Sequence, residues 1–234
     1  MRSTQTRERP ASGVGRRLLI LGTPLAYAAV TVVHPRQFAG GDATMYADLR
    51  GQVGAWLAVH TAQIALVMLL GATIWALVDG LEGTAAKVAR LAILPFVAFY
   101  SAFDAIVGFA TGLLVRQADA LPGPAQAVAA EQIQRYFDNV ISPGLPTPYV
   151  VGTGIAAWVV AMLAVAAARR RAGAPTSAVV LLVVAALSFG FDHGFPTGTI
   201  GMVALFAAGL LLERRPVAVS PEREGVASGP APAA

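Results

Sequence analysis

Six apolar runs separated by polar connectors dominate the chain: Arg17–Val33, Val53–Val78, Leu91–Val115, Val150–Ala168, Ser177–Phe191 and Thr199–Leu212. A helix needs about 20 apolar residues to cross roughly 30 Å of hydrocarbon. The second, third and fourth runs meet that length, and the fifth and sixth fall short of it. The pattern predicts an all-α membrane protein, a six-helix transmembrane bundle over residues 16–215. Between the third and fourth runs, Val128, Ile133, Tyr136, Phe137, Val140 and Ile141 recur near helical spacing. This predicts an amphipathic outer-loop helix over Ala125–Ile141, packed on the bundle and ended by Ser142-Pro143-Gly144. Residues 1–15 and 216–234 carry too little apolar surface to offset chain entropy, so both read as disordered cytoplasmic tails.

Charge gives the array a direction. Of 17 Lys and Arg residues, four (Arg36, Arg50, Arg116 and Arg135) fall on one side, and all the others share the side of both termini. Cytoplasmic loops retain Lys and Arg, so both termini are expected in the cytoplasm and the protein in the cell membrane. The Arg169–Arg171 run would also favour anionic lipid headgroups there. The net charge of +4 is then a topology signal rather than a nucleic-acid footprint. Arg16 and Arg17 followed by Leu18–Leu25 and Ala26-Tyr27-Ala28 resemble a cleavable signal, but the apolar run continues to Val33, which favours a retained helix.

Composition removes several chemistries. Hydrophobic residues make up 56% and charged residues 13%, against about 25% charged in ordinary soluble domains. The chain has no Cys, hence no disulfide, thiolate ligand or cysteine nucleophile. It lacks a G-x-x-x-x-G-K-[ST] loop for ATP and a G-x-S-x-G nucleophile turn. No catalytic set is assigned, and the sequence requires no cofactor.

Any chemistry should sit where polar groups interrupt the apolar runs. Asp104 lies inside the third run, where a carboxylate is expected to face the bundle interior. Tyr100, Asp104, Gly108, Thr111 and Gly112 share its helix face, and the two glycines would admit a neighbouring helix closely. In the second run Trp56, His60, Gln63 and Val67 form a matching face, with Trp56 near the outer interface. Counting about 1.5 Å per residue from the outer ends puts Gln63 about 15 Å deep and Asp104 about 16 Å. A hydrogen-bonded His60–Gln63–Asp104 cluster is therefore expected, with Tyr100, as a ligand or proton pathway. Tyr27, His34, Asp192 and His193 would form its outer rim. Asp192 and His193 belong to a Gly/Pro-rich hairpin that either faces water or dips below the surface. A metal site would draw on His60, Asp104 and His193, but no HExxH or His pair at i and i+4 supports one.

Trp56-x-x-x-His60-x-x-Gln63, Tyr100-x-x-x-Asp104 and Asp192-His193-Gly194-x-Pro196-Thr197-Gly198 together resemble a loose group of multi-pass membrane proteins from high-GC actinobacteria. The resemblance covers most of residues 16–215 and implies the membrane fold, but it carries no established activity. Three roles follow: a membrane protein whose polar cluster serves packing, sensing or assembly; a proton-coupled small-molecule transporter; or a membrane-embedded metal-dependent enzyme acting on lipid.

Overall fold

The computed structural model describes residues 13–35, 44–141 and 146–214. Of these, 86% are helical, and no strand occurs among the described residues. Helix α1 runs through Val14–Arg17, a wider π-helical turn Leu18–Gly22, and Thr23–Val32. A short α2, Met45–Leu49, precedes α3, Val53–Val78. Helix α4 is continuous over Thr84–Phe103, a second π-helical turn Asp104–Ala110, and Thr111–Asp119. Then follow α5 (Gly123–Ile141), α6 (Pro146–Arg171), α7 (Thr176–Phe191) and α8 (Thr197–Glu213). Three helices, Val53–Val78, Thr84–Asp119 and Tyr149–Arg171, are long and apolar enough to cross a membrane.

Helices α1, α3, α4, α6, α7 and α8 form a closed ring in chain order, with α8 packed back on α1. Short connections make sequential helices antiparallel neighbours, and α3 also touches α6 across the interior. Small residues set the spacing. A methyl group added at Gly154 of α6 would lie 2.9 Å from the backbone nitrogen of Tyr100, so these two helices meet almost backbone to backbone. Many large side chains point out of the ring instead of into it, among them Met68, Trp75, Leu91, Leu94, Leu163 and Leu187. A water-soluble bundle would bury this stripe.

The two π-helical turns are both tied to α3. Such a turn leaves a carbonyl out of the regular ladder. Thr73 Oγ1 donates to Leu19 O at 2.9 Å in the first, and Trp56 Nε1 donates to Gly108 O at 2.6 Å in the second. Near the ends of the chain, the last carbonyls of α3 are capped from three neighbours. Arg169 donates to Leu77 O at 2.6 Å, Arg90 to Val78 O at 2.7 Å, and Arg16 to Ala76 O at 3.5 Å. Guanidinium groups here oppose the negative end of the helix dipole and satisfy orphan acceptors. Arg16 and Arg17 also pair with Glu213, tying α1 to α8.

At the opposite end α5 lies over the end of α4. It buries Ile133 and Phe137, and Tyr136 donates to Ile106 O at 2.8 Å. Helix α2 joins this cap through Tyr46 on Asp119 (2.9 Å) and Gln134 on the Met45 backbone N–H (2.7 Å). Several expectations are corrected. The outer helix begins at Gly123 rather than Ala125, and Val128 of its supposed apolar stripe is 60% exposed. The first helix begins at Val14, inside the residues read as a tail, because Arg16 and Arg17 are fixed by Glu213. Residues 1–12 and 216–234, and the side chains of Val140 and Ile141, lie outside the described residues.

Candidate functional site: a polar chamber inside the ring

Two apolar clusters bracket the ring interior. The larger, toward the chain ends, includes Leu70, Ile74, Phe96, Trp158, Leu182 and Leu205. The smaller, under α2 and α5, includes Met45, Leu49, Trp56, Val107, Ile133 and Phe137. Polar atoms are buried at the edge of the larger cluster, to which the Tyr27 and Tyr100 rings belong. Asp104 from α4 is 1% exposed, and Gln63 from α3, Tyr27 from α1 and Tyr100 from α4 are fully buried. The Tyr27 hydroxyl faces Tyr100 and Gln63 and lies in the field of the Asp104 carboxyl.

Among the described residues none of these four side chains finds a hydrogen bond of ordinary geometry. Tyr27 Oη, Tyr100 Oη, both polar atoms of Gln63 and both carboxyl oxygens of Asp104 are buried without a partner. The expected His60–Gln63–Asp104 hydrogen-bonded cluster is therefore absent. His60 turns instead to its own helix, where Nδ1 meets Trp56 O at 2.9 Å, the carbonyl accepting. Its ring lies flat on Gly108, whose missing side chain makes the room. Trp56, placed at an outer interface by sequence, is fully buried because its indole N–H is committed to Gly108 O.

The rim residues separate into two groups. Tyr27 is no rim residue at all: it sits in the chamber, edge-on to Phe189 with ring centroids 5.3 Å apart. His34 stacks edge-on against His60 at 5.0 Å and Trp56 at 5.3 Å. His193 does not simply face water. Its ring packs edge-on against Tyr100 (5.8 Å) and Phe103 (5.7 Å), leaving 24% of the side chain exposed. Asp192 is the exposed member and holds the turn, accepting from Gly194 N at 2.9 Å and Thr197 Oγ1 at 3.3 Å. Burial pushes the His193 imidazole down to about 4 and also lowers His34, so both turns present neutral rings to the chamber mouth.

His34, His60 and His193 lie within electrostatic range of one another. Even so, no group of three His, Asp or Glu side chains among the described residues is placed to hold a metal ion. Thr31, expected on a polar stripe of the first helix with Tyr27 and His34, is buried and hydrogen-bonded to Thr199 at 2.7 Å, whereas sequence reasoning did not single out Trp158, whose indole N–H is buried and unpartnered. Thr31 shares helical spacing with Tyr27 and was legible as part of that stripe; nothing local marks Trp158. A groove of about 560 Å³ lies apart from the chamber, lined by Leu114, Leu121, Ile133 and Tyr136. It is apolar and holds none of the unpartnered groups.

The arrangement can hydrogen-bond a small polar guest from several sides, with a carboxyl, an amide and two phenols as the contacts. No family model, curated protein or solved structure matches the chain.

Proposed function

We propose that the chain is a six-span integral protein of the cell membrane, with both termini cytoplasmic, that binds and passes a small polar solute through the chamber of Tyr27, Gln63, Tyr100 and Asp104. One observation carries the reading. Four interior side chains from three helices bury their polar atoms side by side, Tyr27 lying beside Tyr100, Gln63 and the Asp104 carboxyl, and among the described residues none of them completes a hydrogen bond of ordinary geometry. A network retained for packing satisfies itself internally, because each unpaired buried polar group costs about 1–3 kcal/mol. Groups left open toward one another are instead complementary to something that enters between them.

The six-span topology is supported by the outward surface. Helices α7 and α8, at 16 and 17 residues, reach only about 24–26 Å. Yet Val180, Leu187, Ile200 and Val203 on them are exposed like the outward residues of the longer helices. A modest local thinning of the bilayer accommodates such a mismatch. The exposed Arg170 and Arg171 would then lie among anionic headgroups on the cytoplasmic side. The resemblance to actinobacterial multi-pass proteins fits this topology.

The absence of cysteine makes the test clean. Single cysteines replace Lys87, Ala120 and Gln63 in the full chain, and intact cells are treated with a membrane-impermeant thiol reagent. Ala120→Cys should react and Lys87→Cys should react only after lysis. Gln63→Cys should react with a small charged methanethiosulfonate supplied from outside. Labelling of Lys87→Cys in intact cells would refute the topology, and an inert Gln63→Cys would refute the solute pathway.

A further inference from the structure

The charge around the chamber narrows what it takes. Among the described residues Asp104 makes no ion pair, and their Lys and Arg side chains lie at the two ends of the ring: Arg16, Arg17, Lys87, Arg90, Arg169, Arg170, Arg171 and Arg214 at one, Arg50, Arg116 and Arg135 at the other. Its carboxyl oxygens, the Gln63 amide oxygen and the Tyr27 and Tyr100 hydroxyls are all oxygen donors, all buried and all unpartnered. Oxygen ligands suit hard cations, whereas soft or borderline metals want imidazole and thiolate. Of the imidazoles, His60 has Nδ1 engaged with Trp56 O, and His193 packs edge-on against the Tyr100 ring at 5.8 Å.

We propose that the chamber binds one monovalent cation, an alkali ion or a primary ammonium group, with Asp104 as counter-charge and the oxygens of Gln63, Tyr27 and Tyr100 completing its coordination. The inference rests on the reading of the chamber as a polar-solute site. A monovalent charge fits because one carboxylate neutralises it, whereas a divalent ion would leave a net charge buried among apolar helices. An anion would meet the Asp104 carboxyl while the described Lys and Arg side chains are held at the two ends of the ring.

The test is thermal unfolding of the purified full chain in nanodiscs, followed by the tryptophan fluorescence of Trp56, Trp75 and Trp158. Sodium, potassium and methylammonium chloride are each titrated against N-methylglucamine chloride at fixed pH and ionic strength. At least one of the three should raise the midpoint saturably. The two inorganic arms against the methylammonium arm tell an alkali ion from an ammonium group. Asp104→Asn should abolish the saturable response, and Gln63→Ala should raise the half-saturating concentration by about tenfold. Asp192→Asn, at the exposed turn, should leave it unchanged. Tyr27→Phe serves as a milder second variant if Asp104→Asn does not fold, with a weakened response expected. No saturable response to any of the three, or a response that survives Asp104→Asn, overturns the cation. A reactive Gln63→Cys without cation response leaves the polar pathway standing and removes only the cation; an inert Gln63→Cys removes both.

Discussion

Gly108→Ala tests the packing that builds the chamber wall. In most helices the change stabilises by about 0.5–1 kcal/mol, because alanine loses less backbone freedom on folding. Here the new methyl group would come closer than 3 Å to Cγ, Cδ2 and Nε2 of His60. That ring cannot swing aside freely. Nδ1 is bonded to Trp56 O, and the rings of Trp56 and His34 lie 4.2 Å and 5.0 Å away. Overpacking of this kind costs about 1–3 kcal/mol, and losing the His60 hydrogen bond costs about 0.5–1.5 kcal/mol more if the ring is displaced. The net expectation is a loss of about 1–3 kcal/mol after subtracting the propensity gain. The assay is a double-mutant cycle with His60→Ala, read by denaturant unfolding in mixed micelles. In the His60→Ala background the same Gly108→Ala change should turn neutral or stabilising. Gly54→Ala on α3, where a methyl group meets nothing within 4 Å, is the control and should be harmless. If Gly108→Ala proves as harmless as Gly54→Ala, or if its cost persists without the imidazole, the close approach of α3 and α4 is not as described.

Two further outcomes are expected. Arg169→Met should cost about 1.5–3 kcal/mol, because it removes a charged donor from Leu77 O and leaves that carbonyl buried. Arg170→Met, at an exposed position of the same triplet, should change stability little; equal effects in the same unfolding assay would mean that the caps on α3 carry no weight. Acid should destabilise the fold through His193. Its folded pKa lies at about 4 and an unfolded imidazole titrates near 6.5, so the unfolded chain binds more protons between these values. The contribution is complete above pH ~6.5 and is lost as pH falls toward ~4. The full shift corresponds to about 3 kcal/mol, an upper bound since the ring keeps 24% exposure. His193→Gln should flatten the slope of unfolding midpoint against pH over that window; an unchanged slope would show that the ring is not held neutral by burial.

Helical periodicity made much of this molecule legible. The run Val53–Val78 coincides with α3, since no charge interrupts it and Gln52 and Asp79 bound it. Leu91–Val115 is only the centre of α4, which extends to Thr84 and Asp119 because Lys87, Arg90 and Arg116 are good helix formers that hydropathy passes over. The shared face of Tyr100, Asp104, Gly108, Thr111 and Gly112 is buried as a unit, since three- and four-residue spacing leaves little choice once one member turns inward. What periodicity does not encode is rotation against a neighbour that is distant in sequence. His60, expected just above the level of Gln63 and Asp104, does not bond the carboxyl, because its imidazole is recruited by Trp56 O one turn away.

The same limit hid the second role of the basic residues. Counting them by side of the membrane treats Arg90, Arg169 and Arg170 alike, whereas the fold selects Arg90 and Arg169 to close the end of α3. Helix α3 thereby meets a partner at each place where its neighbours depart from regular hydrogen bonding. Thr73 and Trp56 receive the carbonyls released by the π-helical turns of α1 and α4, and the arginines of α1, α4 and α6 receive those of α3 itself. A ring built this way repairs its irregular backbone with care while leaving Tyr27, Gln63, Tyr100 and Asp104 open, together with Ser101, Thr111 and Trp158. Since leaving a buried polar group open costs about as much as leaving a carbonyl open, the proposed guest is what would offset that cost at the four residues that lie side by side.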